Sequence, residues 1–229
     1  MATDFGVPKS KLFPIRPRSP WFARPMQSLA FILAVNWCLQ GMRGMDRKEL
    51  AFRLPAELVL ALLLAAAAGW WLEAPMALLS GLVAAHTMSF TLNGQLWVCV
   101  RYARFWHREP AALERFLLAA AADLRTRPRL REAVCIGSRG DRGVIRSERS
   151  DLDLRLVFPP GARAWLAVNL LLLRLRAEAF LRLIPLDLYA YDSPESLRRF
   201  DQRERLLVIL DRDGRLATLF PERVASFSP

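Results

Sequence analysis

The chain has 229 residues, 53% of them apolar and 24% charged, with a formal net charge of +11. That length holds one domain of ordinary size with an appendage, or two small domains. Three cysteines without a CxxC pair and only two histidines exclude a zinc cluster, and the positive charge is spread too evenly to mark a nucleic-acid-binding arm.

All the basic residues except Lys9, Lys11 and Lys48 are arginine. Such a chain can attract nucleotides or anionic lipid, and a coding bias toward Arg, Ala and Leu gives the same skew. Cys38, Cys99 and Cys135 each sit in an apolar run and read as buried thiols in a reducing compartment.

Residues 1–25 carry Pro8, Pro14, Pro17, Pro20 and Pro25 among basic side chains, which predicts a disordered tail and no signal-peptide pattern. Residues 26–42 read as a helix whose apolar surface is interrupted by Gln27, Ser28, Asn36 and Gln40, suited to an interface or to packing on its neighbours. Two long apolar stretches follow, at about 56–72 and 75–100, joined by a turn at Glu73-Ala74-Pro75. Basic residues flank their outer ends, and the turn has none. A bilayer span takes about 20 apolar residues, so the pattern predicts a membrane hairpin with both ends in the cytoplasm. A soluble helical hairpin buried in a homo-oligomer is the alternative. His86, Ser89 and Asn93 share one face of the second arm, to line a groove for a lipid head group or to bond a partner helix.

The main boundary falls near 105–110. Residues 26–108 form the helical, membrane-associated region, and 109–229 form a domain of alternating strands and helices. Residues 111–127 lie between Pro110 and Pro128 and predict a helix. Ala133-Val134-Cys135-Ile136 then form a strand that ends in Gly137-Ser138. After a loop containing Gly140 and Gly143, a second strand begins at Asp151. Period-two geometry puts Asp151, Asp153 and Arg155 on one face and Leu152, Leu154 and Leu156 on the other.

Two neighbouring carboxylates repel each other unless a cation lies between them. Hard oxygen ligands suit magnesium held jointly by protein and phosphate. A Gly-Ser turn lets backbone N–H groups approach phosphate oxygens closely. This set, Ile136-Gly137-Ser138, twelve residues, then Asp151-Leu152-Asp153-Leu154, resembles the DNA polymerase beta-like nucleotidyltransferase superfamily, especially its minimal members. The resemblance covers roughly residues 111–220. It implies an α+β fold with a small mixed sheet and flanking helices, here preceded by the hydrophobic hairpin.

It also implies a Mg2+ (or Mn2+) ion held by Asp151 and Asp153, and a nucleoside triphosphate lying on Gly137 and Ser138. A third carboxylate, Asp187 in the strand candidate 184–191, would assist the metal or activate an acceptor hydroxyl. Asp192 is a poorer substitute because its parity turns it to the opposite face. Arg139, Arg142 and Arg146 are further candidates for phosphate contact. Residues 162–183 read as a crossover helix covering the sheet rather than a third span, because Arg174, Glu178 and Arg182 share a face. The end of the chain reads as two strands around a hairpin turn at Asp211–Gly214.

The expected activity is transfer of a nucleoside monophosphate to a hydroxyl acceptor, lipid-, glycan- or protein-linked, at the cytoplasmic face of the cell membrane. An inactive nucleotide-binding scaffold and an antitoxin-like enzyme that adenylylates a partner protein are the competing expectations.

Overall fold

The computed structural model describes residues 21, 26, 28–40, 42–101, 103, 105–137, 150–200 and 204–227. The Pro-rich tail, apart from Trp21, lies outside the described residues, as do Ser138, Arg139, Gly140, Arg142, Gly143 and Arg146. The fold is α+β, a mixed five-stranded sheet with flanking helices and a long helical hairpin ahead of it.

Helix α1 (Leu29–Leu39) starts at Ser28, whose hydroxyl accepts from the Phe31 N–H. Helix α2 (Arg47–Ala68) is capped by Asp46, and α3 (Ala74–Leu92) begins at the predicted Glu73-Ala74-Pro75 turn. The second arm ends at Leu92, eight residues short of the predicted limit, because Gly94 takes a left-handed φ of +79° and starts a separate short helix, α4 (Gln95–Val100).

The arms of the hairpin meet through small residues. Ala61 and Ala65 of α2 lie against Ala77, Gly81 and Ala85 of α3, all buried. A Cβ on Gly81 would stand 2.5 Å from the Ala61 carbonyl oxygen and 2.7 Å from the Ala65 Cβ. The leucines point outward instead: Leu58, Leu62, Leu63, Leu78, Leu79 and Leu82 are exposed, as are Trp70 and Trp71 at the turn. Both helices are long and apolar enough to cross a membrane. Small residues inside and large apolar ones outside are the arrangement that lets helices approach closely in lipid. Gly81→Leu is expected to force the arms apart at a penalty of about 1–3 kcal/mol. It should lower the apparent Tm in detergent, where Leu62→Ala leaves it unchanged.

The polar stripe on α3 bonds within the protein. His86 Nδ1 lies 2.6 Å from Glu57 Oε1, the Arg53 guanidinium reaches Ser89 Oγ at 3.3 Å, and Asn93 Oδ1 accepts from Arg176 at 3.2 Å.

Helix α5 (Pro110–Arg125) precedes strand β1 (Glu132–Ile136). Strand β2 (Leu152–Val157), helix α6 (Ala162–Leu181) and strand β3 (Leu186–Tyr191) form the expected parallel crossover. Strand β4 (Leu206–Asp211) runs antiparallel to β1, and with the last strand, β5 (Val224–Ser226), the order is β3-β2-β1-β4-β5. The predicted hairpin at Asp211–Gly214 is not formed. Asp211 Oδ2 instead accepts from the N–H groups of Leu216 and Ala217 and caps helix α7 (Arg215–Leu219). The chain then returns as β5 (Val224–Ser226), parallel to β4.

Helices α5 and α6 cover one face of the sheet, where Leu113, Leu117, Leu172 and Leu175 meet Cys135, Leu154, Leu156 and Leu188. The other face packs Val134, Ile136, Tyr189 and Tyr191 against Leu197, Leu216 and Met45. The foot of the hairpin seals the open edge of β3. Arg176 bonds the Leu188 carbonyl oxygen and pairs with Glu49 at 2.6 Å, and the Trp165 indole donates to the Lys48 carbonyl oxygen at 2.7 Å. Covering an edge in this way removes a template for aggregation.

Candidate functional site

Every residue of β2 is buried. Its leucines enter the helix-covered core, so Asp153 and Arg155 face the other side, as the period of two predicts. The parallel register sets Asp153 directly opposite Asp187 on β3. Two strands from different parts of the chain thus bring two carboxylates together.

A guanidinium sits between them. Arg155 Nη2 lies 2.7 Å from Asp187 Oδ2 and 3.3 Å from Asp153 Oδ1. Its Nη1 donates to the carbonyl oxygens of Leu154 at 2.9 Å and Asp187 at 2.5 Å. The rings of Tyr189 and Phe200 lie 4.9 and 5.1 Å from its Cζ. Burial opposes the charge, but the carboxylates of Asp187 and Asp153 outweigh it and hold the Arg155 pKa above its ordinary value.

Asp151 stands one residue ahead of β2 and pairs with Arg101 at 2.6 Å. Gly137 closes β1 with a φ of +82°, and a Cβ there would come within 2.8 Å of Asp153 Oδ2. The turn therefore needs glycine both for its backbone conformation and for the close approach of the carboxylate. Of the two predicted phosphate-binding residues, Gly137 lies beside Asp153, and Ser138 falls outside the described residues. Asp192 lies beyond the end of β3 and pairs with Lys48.

Asp151, Asp153 and Asp187 are hard oxygen donors of the kind magnesium takes. In donor type the residues fit such an ion. Among the described residues, however, no group of three acidic, histidine or cysteine side chains converges as a metal-ligand set. Among the described residues, Arg155 and Arg101 place positive charge beside the carboxylates. Parity along β2 was the signal for Arg155. For Arg101, far away at the end of α4, the sequence carries no such signal.

Comparison with protein-family models, with curated proteins and with solved structures returned no match to this chain.

Proposed function

We propose that the chain is a membrane-anchored nucleotidyltransferase that moves a nucleoside monophosphate from a nucleoside triphosphate to a hydroxyl acceptor. The observation that carries this reading is the alignment of Asp153 with Asp187 on neighbouring parallel strands, with the Gly137 turn against Asp153. The motif order supports it: glycine turn, Asp-Leu-Asp strand, crossover helix, then a strand bearing an acidic residue.

Asp151, Asp153 and Asp187 are the residues that would hold Mg2+ or Mn2+, whose chemistry there is to neutralise charge on the alpha-phosphate and the departing pyrophosphate. Gly137 permits backbone approach to phosphate oxygens. Arg155 fixes the orientation of Asp153 and Asp187. The Asp187 side chain is 17% exposed against 4% for Asp153, which makes it the carboxylate placed to accept the acceptor's proton. The acceptor oxygen then bonds to the alpha-phosphorus as the bond to pyrophosphate breaks. The two apolar helices fit an anchor that holds this chemistry at the cytoplasmic membrane surface, with a lipid-, glycan- or protein-linked acceptor on the same surface.

The pairing of all three carboxylates with the chain's own arginines favours a second reading, a nucleotide-binding scaffold without transfer activity. Incubating the detergent-solubilised chain with each alpha-labelled nucleoside triphosphate, magnesium and a membrane extract separates the two. A labelled acceptor that falls at least about a hundredfold with Asp153→Asn supports the enzyme. Nucleotide binding without any labelled product supports the scaffold. Full transfer by both Asp151→Asn and Asp153→Asn refutes the assigned site.

A further inference from the structure

Helix α6 was expected only to cover the sheet, and its inner face does so. Its outer face is also apolar. Leu166, Leu170, Leu173 and Leu181 recur at helical spacing and are 46%, 52%, 40% and 78% exposed. Arg163, Arg174 and Arg182, all exposed, flank this ridge, Arg174 pairing with Asp123 and Arg182 with Glu178 at 2.7 Å.

The ridge continues the outer surface of the hairpin. Leu173 and Asn169 line one groove together with Phe52 and Leu60 of α2 and Leu92 of α3. The helix crosses the foot of the hairpin: Trp165 bonds α2 at Lys48, Arg176 reaches Glu49 and Asn93, and the Phe180 ring stacks on Trp97 of α4 at 5.6 Å. On the ridge's other flank lies a cavity of about 380 Å³. Phe158, Val168 and Leu171 are among its apolar lining residues, and Arg127, Arg129 and Arg174 supply its basic ones.

We propose that α6 lies in the plane of the membrane interface, with its leucine ridge in the acyl boundary and its arginines among anionic phospholipid head groups. This inference rests on reading α2 and α3 as the bilayer anchor. An apolar stripe flanked by arginine is the pattern of a helix that lies on a bilayer rather than crossing it. The long arginine side chains can lay their stems on the apolar boundary and keep their charge in the head-group layer. A second copy of the chain is the poorer occupant, because Arg163 and Arg129 leave the face net basic even with Arg174 paired to Asp123 and Arg182 to Glu178, so two such faces repel. The placement would set the sheet down on the bilayer with α6 as its contact.

Of the three thiols expected to be buried, Cys38 is exposed while Cys99 and Cys135 are buried, so the test uses the full chain with Cys38→Ser, reconstituted in vesicles of phosphatidylcholine and phosphatidylglycerol. A fluorophore is attached at Leu170→Cys, at Leu62→Cys in the hairpin, or at Arg198→Cys on an exposed 3₁₀ turn. The label at position 170 should lose emission to head-group-proximal nitroxide lipids at least about twofold more than the label at 198, and the label at 62 to deeply placed nitroxides. Quenching at 62 with none at 170 beyond the level at 198 overturns the placement of α6 and leaves the anchor standing. Absence of quenching at both 62 and 170 overturns both. Quenching at 170 that follows protein density and ignores the nitroxide identifies a second copy there and overturns the lipid contact.

Discussion

Arg155→Met is expected to destabilise the protein by about 3–5 kcal/mol, because it leaves two carboxylates facing each other in the interior without their cation. Asp153 is 3% exposed and Arg155 2%, so water reaches the site only from the side of Asp187, whose side chain is 17% exposed, and replaces the lost guanidinium poorly. Asp153 and Asp187 are register partners on adjacent strands and cannot separate without breaking the pairing of β2 with β3. The variant should unfold at lower temperature or denaturant concentration in detergent. Adding Asp153→Asn and Asp187→Asn to Arg155→Met should recover more than half of the loss, since the uncompensated charge then disappears. An unchanged Arg155→Met would mean that the guanidinium does not hold the two strands' carboxylates together.

Glu132→Gln is expected to have the opposite sign. Glu132 is 1% exposed at the start of β1, at the end of the sheet away from Asp153, and among the described residues neither of its carboxylate oxygens has a hydrogen-bond partner. Burial pushes its pKa up to about 7, the Arg215 charge working against that shift and Asp211 and Asp213 adding to it. Asp211 is its register partner on β4, and Arg131, adjacent in sequence, also opposes the rise.

The folded pKa lies above the unfolded value near 4.5. Below that value both states are protonated and the group is neutral to stability. Between about 4.5 and about 7 the unfolded chain ionises and the folded chain does not, so stability falls as pH rises. Above about 7 the penalty is complete, and at 1.36 kcal/mol per pKa unit it reaches about 3 kcal/mol. Glu132→Gln should therefore raise the apparent Tm at pH 8 and make little difference at pH 4. A Tm gain of the same size at both pH values would show that ionisation is not its cause.

The parts of the fold read from sequence were those written in short-range periodicity. The alternation in β2 separated Asp153 and Arg155 from Leu152, Leu154 and Leu156 before any partner strand was known. The helix after Pro110 and the crossover from β2 through α6 to β3 were legible for the same reason. Of the predicted Glu73-Ala74-Pro75 turn, only Glu73 lies outside a helix, Ala74 and Pro75 opening α3 after a bend at residues 69–72. The C-terminal segment departs from the hairpin that its sequence predicts because Asp211-Arg212-Asp213-Gly214 is good turn chemistry in either setting. A long-range choice, β5 returning parallel beside β4, selected a capped helix over a hairpin.

The sequence by itself thus determined which side chains share a strand face, that two apolar arms follow one another through a short connection, and that Gly137 closes β1. Only the tertiary structure decided that Asp187 stands opposite Asp153, that Arg101 reaches Asp151 from the end of α4, that Glu132 is buried with no hydrogen bond to its carboxylate among the described residues, and that α6 keeps an apolar face outside the core. The division follows from range. Side-chain direction is set by the backbone within a few residues, whereas register, edge covering and ion pairing are chosen by packing between segments distant in the chain.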